Sequence, residues 1–138
     1  MLILHVGLLL ALLMHWVTSQ HYCVLSLLES KGLSPSYAMA SGIQRQIRYW
    51  KELGLGYMGV RKDSLATEVE RRAYELYPEY QNRLKDSTMD LGDVLLNTLK
   101  LFRGRPEVLE SFREQYRHVL VDEFQDISPA QYDILRML

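Results

Sequence analysis

The stretch "HVLVDEFQDISPAQYDILRML", residues 118–138, sets two patterns side by side. Val119, Leu120 and Val121 form an apolar run without alternation, the pattern of a parallel strand buried on both faces. The run ends on two adjacent carboxylates, Asp122 and Glu123. Then the period changes. Ser128 stands as an N-cap, with Pro129 at the first helical position and Gln131 three residues on, a capping box. Ile127, Gln131, Ile134, Leu135 and Leu138 follow at helical spacing. The sequence therefore predicts a short buried parallel strand over about 118–122, an acidic turn and a fresh helix. In open α/β sheets, ligands sit beyond the carboxyl ends of such strands. Neighbouring side chains on a strand point to opposite sides, so the two carboxylates suit different tasks. One suits a hydrated Mg²⁺, which takes carboxylates together with phosphate oxygens. The other suits orienting and deprotonating an attacking water. Phosphoryl transfer needs both functions, plus a phosphate cradle. A strand that simply exits into a solvated acidic loop would read the same over these few residues.

Upstream the pattern is helical. In "DLGDVLLNTLKLF" Asp90 is a candidate N-cap, and Leu91, Val94, Leu95, Leu99 and Phe102 are expected to share a buried face. "RGRP" stops that helix, and Pro106 suits the first turn of the next, whose expected buried stripe is Val108, Leu109, Phe112 and Tyr116. From Ser64 to about Lys85, Leu65, Val69, Ala73, Leu76, Tyr77, Tyr80 and Leu84 recur in steps of three and four. Pro78 is expected to kink or break that helix. "IQRQIRYWKEL", 43–53, places Ile43, Ile47, Trp50 and Leu53 at helical spacing, and the glycines of "GLGYMG" end it. "SKGLSPSYAMASG", 30–42, reads as a linker.

The chain has 138 residues, enough for one domain with a core. A formal net charge of -1 gives no global field towards nucleic acid or membrane. Cys23 is the only cysteine, which excludes an internal disulfide and fits a reducing compartment. The histidines at 5, 15, 21 and 118 lack zinc-ligand spacing. "MLILHVGLLLALLMHWV", 1–17, is nearly all apolar. It lacks the positive flank of a signal peptide and falls short of the roughly 20 apolar residues of a spanning helix. Three readings stand: a buried helix, a signal or anchor, or a segment foreign to the domain.

"VDEFQD", followed by Ser-Pro-Ala-Gln-Tyr and a Leu-rich helix, resembles motif II, the Walker B element, of UvrD/Rep-type superfamily 1 DNA helicases. Residues 89–117 resemble the two helices that lead into that motif, with Leu91 in place of the usual aromatic. "IRYWKELGLGYMG" and "YELYPEYQNRL" resemble the family's helical 1B subdomain. The resemblance covers residues 43–138. "TSQHYCVLSLLESKG", 18–32, is only faintly similar to a further family element.

The resemblance implies a parent of α/β fold, a RecA-like P-loop NTPase, of which this chain is a mainly α-helical piece with the strand near 118–122. It divides the chain into an apolar segment 1–29, a linker 30–42, a 1B-like part 43–88 and a return into domain 1A over 89–138. It implies an ATP-dependent 3'-to-5' DNA helicase of DNA repair or recombination, using ATP and Mg²⁺. Its partners would be single-stranded DNA and the duplex junction, in the nucleus or bacterial cytoplasm rather than in a membrane. Asp122 would ligate Mg²⁺ through water and Glu123 would be the general base. Gln125 and Asp126 would lie near the nucleotide, Phe124 would pack in the core, and Asp93 would match the family's acidic position on its helix. Arg45, Arg48, Lys51 and Trp50 are candidates for nucleic acid, with Arg61, Lys62, Tyr49 and Tyr57 nearby, since basic residues among aromatics suit single strands. The sequence contains no GxxxxGK[ST], so nothing in it cradles the β and γ phosphates, and the chain alone is expected to be inactive. The alternatives are a non-catalytic DNA- or partner-binding remnant, and a signal-bearing helical protein.

Overall fold

The computed structural model describes residues 20–85 and 89–138. They form six α-helices: α1 over 20–30, α2 Tyr37–Glu52, α3 Glu68–Lys85, α4 Leu91–Gly104, α5 Pro106–Gln115 and α6 Pro129–Met137. Short 3-10 turns occupy Tyr57–Gly59, Lys62–Ser64 and Phe124–Asp126. The apolar run at 1–17 lies outside the described residues.

The core is built by α1, α2 and α3. Val24, Leu27 and Leu28 of α1 meet Ile43, Ile47 and Trp50 of α2, and Ala73, Leu76, Tyr77, Tyr80 and Leu84 of α3 close the cluster. Trp50 and Tyr77 stack with ring centroids 6.0 Å apart. α2 begins at Tyr37, so residues 37–42, expected in a linker, are its first turns. Ala38, Met39 and Ala40 favour helix, and Ala40 is buried in the core, so packing and propensity agree there. α2 ends where Gly54 takes φ +78°, and Leu55 N–H donates back to the Trp50 carbonyl at 2.8 Å. That left-handed glycine cap satisfies the last carbonyls of the helix.

α3 starts on a reciprocal cap. Thr67 N–H donates to Glu70 Oε2 at 2.7 Å, and Glu70 N–H donates to Thr67 Oγ1 at 3.2 Å. The Thr67 backbone bond is the main reason the Glu70 carboxyl lies below the usual range. The helix then runs through Pro78 to Lys85 without the expected break. Pro78 faces solvent, while Leu76, Tyr77 and Tyr80 around it are buried. Their packing outweighs the roughly 3 kcal/mol that an interior proline costs a helix.

α4 packs on α2, α5 and α6. Its buried positions are Gly92, Asp93, Leu96, Leu99 and Phe102. Leu99 and Phe102 are buried as expected, but in the first turns Leu91 and Val94 are exposed and Gly92, Asp93 and Leu96 are buried instead. The cause lies in the first turn, where two carboxylates and a glycine sit against Lys51 of α2. α5 carries no buried residue, against the expected stripe. Its Phe112 meets Phe102 of α4 edge-on, at 5.4 Å between centroids.

No strand forms among the described residues. Residues 118–121 are irregular and open to solvent, with Leu120 98% exposed. A strand exists only through hydrogen bonds to a neighbouring strand, and the other described segments are helices, turns and loops. The described chain is therefore all-α, and the expected buried parallel strand is absent.

Gly92 brings α4 close against Lys51 of α2. A Cβ added there would lie 2.7 Å from both Cβ and Cδ of Lys51. Those stem atoms belong to a side chain held at its far end. Gly92→Ala is expected to lower stability by about 1–3 kcal/mol through overpacking, read as a reduced urea midpoint. The roughly 1 kcal/mol that alanine gains in helix propensity makes a stabilised variant the opposing outcome.

Candidate functional site

The acidic turn is shaped by its own backbone. Glu123 takes φ 48° and ψ 45°, the one positive φ among the described non-glycine residues. Its N–H donates to Asp122 Oδ1 at 2.9 Å, and its carbonyl accepts from Asp126 N–H at 2.8 Å. The second bond closes the Phe124–Asp126 turn. Gln125 Nε2 donates to Glu123 Oε2, so these two side chains are joined. Left-handed backbone is uncommon for a residue with a Cβ, and such outliers gather at functional sites.

Asp122, Glu123, Gln125 and Asp126 are all exposed and all belong to this one turn. The described residues hold no group of three His, Cys, Asp or Glu side chains placed to bind a metal. Mg²⁺ bound by one carboxylate and by substrate phosphates needs no such group, so the donor set fits. Asp122 commits one oxygen to the turn, and its exposure suits contact through water. Phe124, expected in the core, is 57% exposed and meets Tyr132 of α6 edge-on, at 6.1 Å between centroids. Ser128 and Gln131 form the expected capping box, at 3.3 Å and 2.7 Å.

Asp126, Ser128 and Gln131 line a cleft of about 410 Å³. Its other walls are Leu91, Gly92, Val94 and Leu95 of α4 and Arg48 and Glu52 of α2. Arg45 and Arg48 are exposed on the outer side of α2 beside Tyr49, and Arg61 and Lys62 are exposed in the loop that follows. Trp50 and Lys51, expected with them at a phosphate backbone, lie inside, at 6% and 0% exposure. Lys51 follows Ile43 and Ile47 at steps of four, which puts it on the apolar face. That spacing was the signal for its burial.

Lys51 instead centres a network. Its Nζ is 2.6 Å from Asp90 Oδ2 and 2.8 Å from Asp93 Oδ1. The remaining oxygens cap α4: Asp90 Oδ1 accepts from Asp93 N–H at 2.7 Å, and Asp93 Oδ2 accepts from Asp90 N–H at 3.1 Å. Tyr80 OH donates to Asp90 Oδ2 at 3.1 Å, and Gln81 Nε2 donates to Asp93 Oδ1 at 2.8 Å. Burial, and then the Asp90 charge, push the Tyr80 phenol far above its usual range, which keeps it a donor. Asp93 was a candidate from its position alone; the partnership with Lys51 has no local sequence signal.

The UvrD/REP helicase N-terminal domain matches residues 17–138. The chain belongs to that family. The match begins well upstream of residue 43, where the resemblance read from the sequence starts, and takes in all of α1. Among the relatives in the family, DNA helicase II of Rickettsia typhi is 40% identical over 93 residues, covering 67% of this chain and 14% of its own length. The YjcD protein of Bacillus subtilis is 32% identical over 126 residues, 91% of this chain and 16% of the relative. ATP-dependent DNA helicase PcrA of the same organism is 38% identical over 65 residues, 46% of this chain and 9% of the relative. The chain thus spans about a sixth or less of these family members. No solved structure matches it. Among the described residues no helix is long and apolar enough to cross a membrane.

Proposed function

We propose that this chain is part of an ATP-dependent DNA helicase, acting with 3'-to-5' polarity on DNA inside the cell, and that it supplies the hydrolytic acidic turn. The observation that carries this reading is the Asp122–Glu123 pair, exposed at a left-handed turn in a chain of the UvrD/REP family. Mg²⁺, when bound with ATP, supplies charge neutralisation at the transferred phosphate. Asp122 would hold that ion through water. Glu123 takes the proton from the attacking water, and its bond to Gln125 aims the carboxylate. Gln125 and Asp126 would lie beside the nucleotide. Asp126 also faces the cleft that reaches Arg48, which connects the turn to the outer face of α2.

The 138-residue chain alone is expected to hydrolyse no ATP above background, because its sequence holds no GxxxxGK[ST]. A phosphate-release assay tests this. Turnover that disappears in Glu123→Gln would sink the expectation.

The same chain is expected to bind a single-stranded oligonucleotide through the outer face of α2, with affinity that falls as salt rises. Arg45→Ala with Arg48→Ala should make the log–log salt slope shallower by about 0.7 for each phosphate that α2 no longer neutralises. Fluorescence anisotropy across a salt series measures it, and an unchanged slope would remove α2 from the DNA interface. Salt-sensitive binding in the intact protein without any ATP hydrolysis would favour the non-catalytic DNA-binding reading.

A further inference from the structure

We propose that Lys51 is a positioning residue, whose ammonium sets the rotation of α4 and thereby the seating of the acidic turn and α6. The functional meaning rests on the hydrolytic reading of that turn; the positional claim does not.

The geometry is directional. Each of the two aspartates divides its oxygens, one to the α4 backbone and one to Lys51. The ammonium therefore grips the first turn of α4 through the same carboxylates that start the helix. The stem of Lys51 lies over Gly92, with no room for a side chain between them. Tyr80 and Gln81 of α3 hold the two Lys51-facing oxygens from another side. Three helices thus fix one turn. The same turn, through Leu91, Gly92, Val94 and Leu95, forms a wall of the cleft lined also by Asp126, Ser128 and Gln131. Rotating α4 would move that wall.

The rotation is also visible in what α4 buries. Apolar periodicity alone would turn Leu91, Val94 and Leu95 inward. The structure turns Gly92, Asp93 and Leu96 inward instead. Leu99 and Phe102 further along stay buried, so the polar grip acts on the first turn, where Leu91 and Val94 are left facing the cleft. Arg48 sits on the same helix as Lys51, three residues earlier, and lines that cleft from the other end.

The test separates position from stability. Lys51→Met keeps the stem and leaves two buried carboxylates without their cation. The triple variant Lys51→Met, Asp90→Asn, Asp93→Asn removes all three charges and keeps side chains able to cap α4. Both are made in the full 138-residue chain, with urea midpoints and ¹H–¹⁵N spectra recorded for each. The triple variant is expected to recover most of the midpoint lost in Lys51→Met. Its amide signals over Ala130–Met137 and Phe124–Asp126 should nevertheless stay displaced from wild type. Those of α1, and of α3 around Ala73, should coincide with wild type. Wild-type signals across α6 in the triple variant would overturn the proposal, and so would a triple variant that does not fold. Neither readout uses ATP or DNA, so failure here is distinct from failure of the proposed function.

Discussion

Lys51→Met lowers the stability of the chain by about 3–5 kcal/mol, the cost of removing one partner from a buried ion pair. The size follows from what remains. Lys51 is fully buried, and the carboxylates it leaves behind are 10% and 5% exposed. Water cannot replace the ammonium without opening the contact between α2 and α4. Tyr80 OH and Gln81 Nε2 still donate, but hydrogen bonds do not cancel two negative charges. The lysine also lies 5.3 Å from the Tyr80 ring centroid and 5.7 Å from that of Tyr77, so its cation–π attraction disappears as well. The intrinsic helix propensities of Met and Lys are close, so α2 itself is not the source of the loss. Urea denaturation with an unchanged m-value is the expected signature. A loss below about 1 kcal/mol would place the triad in the class of exposed ion pairs and contradict the burial.

In the intact protein, Glu123→Gln slows ATP hydrolysis by about 10²–10⁴-fold and leaves nucleotide binding nearly unchanged, because a general base acts at the chemical step. Glutamine is the informative replacement. It keeps an oxygen for the Gln125 donor and makes the same demand on the left-handed backbone, so the turn persists. A tenfold or larger loss of ATP affinity would instead assign Glu123 a structural role. Single-turnover hydrolysis beside equilibrium binding of ATP distinguishes the two.

The caps were legible in the sequence. Ser128 with Gln131, Asp90 and Pro106 all stand where expected. The stripes of α2 and α3 were legible too, since Ile43, Ile47, Trp50, Ala73, Leu76, Tyr77, Tyr80 and Leu84 are buried as their spacing predicts. Of the site, the grouping of Asp122, Glu123, Gln125 and Asp126 in one acidic turn was readable, because five consecutive residues close it. The break expected at Pro78 does not form, since a local penalty is outweighed by neighbours that pack on other helices. The strand expected at 118–122 does not form because an apolar run states only a tendency to pair, and among the described residues no strand lies beside it.

The sequence by itself determined what depends on atoms a few residues apart: the caps, the helical periods, the closeness of the acidic residues and the motif that carries the family. Tertiary structure alone decided which residues the first turns of α4 bury and the employment of Lys51. The reason is distance along the chain. Lys51 and Asp90 are 39 residues apart, and a buried charge takes its meaning from the partner that folding brings to it.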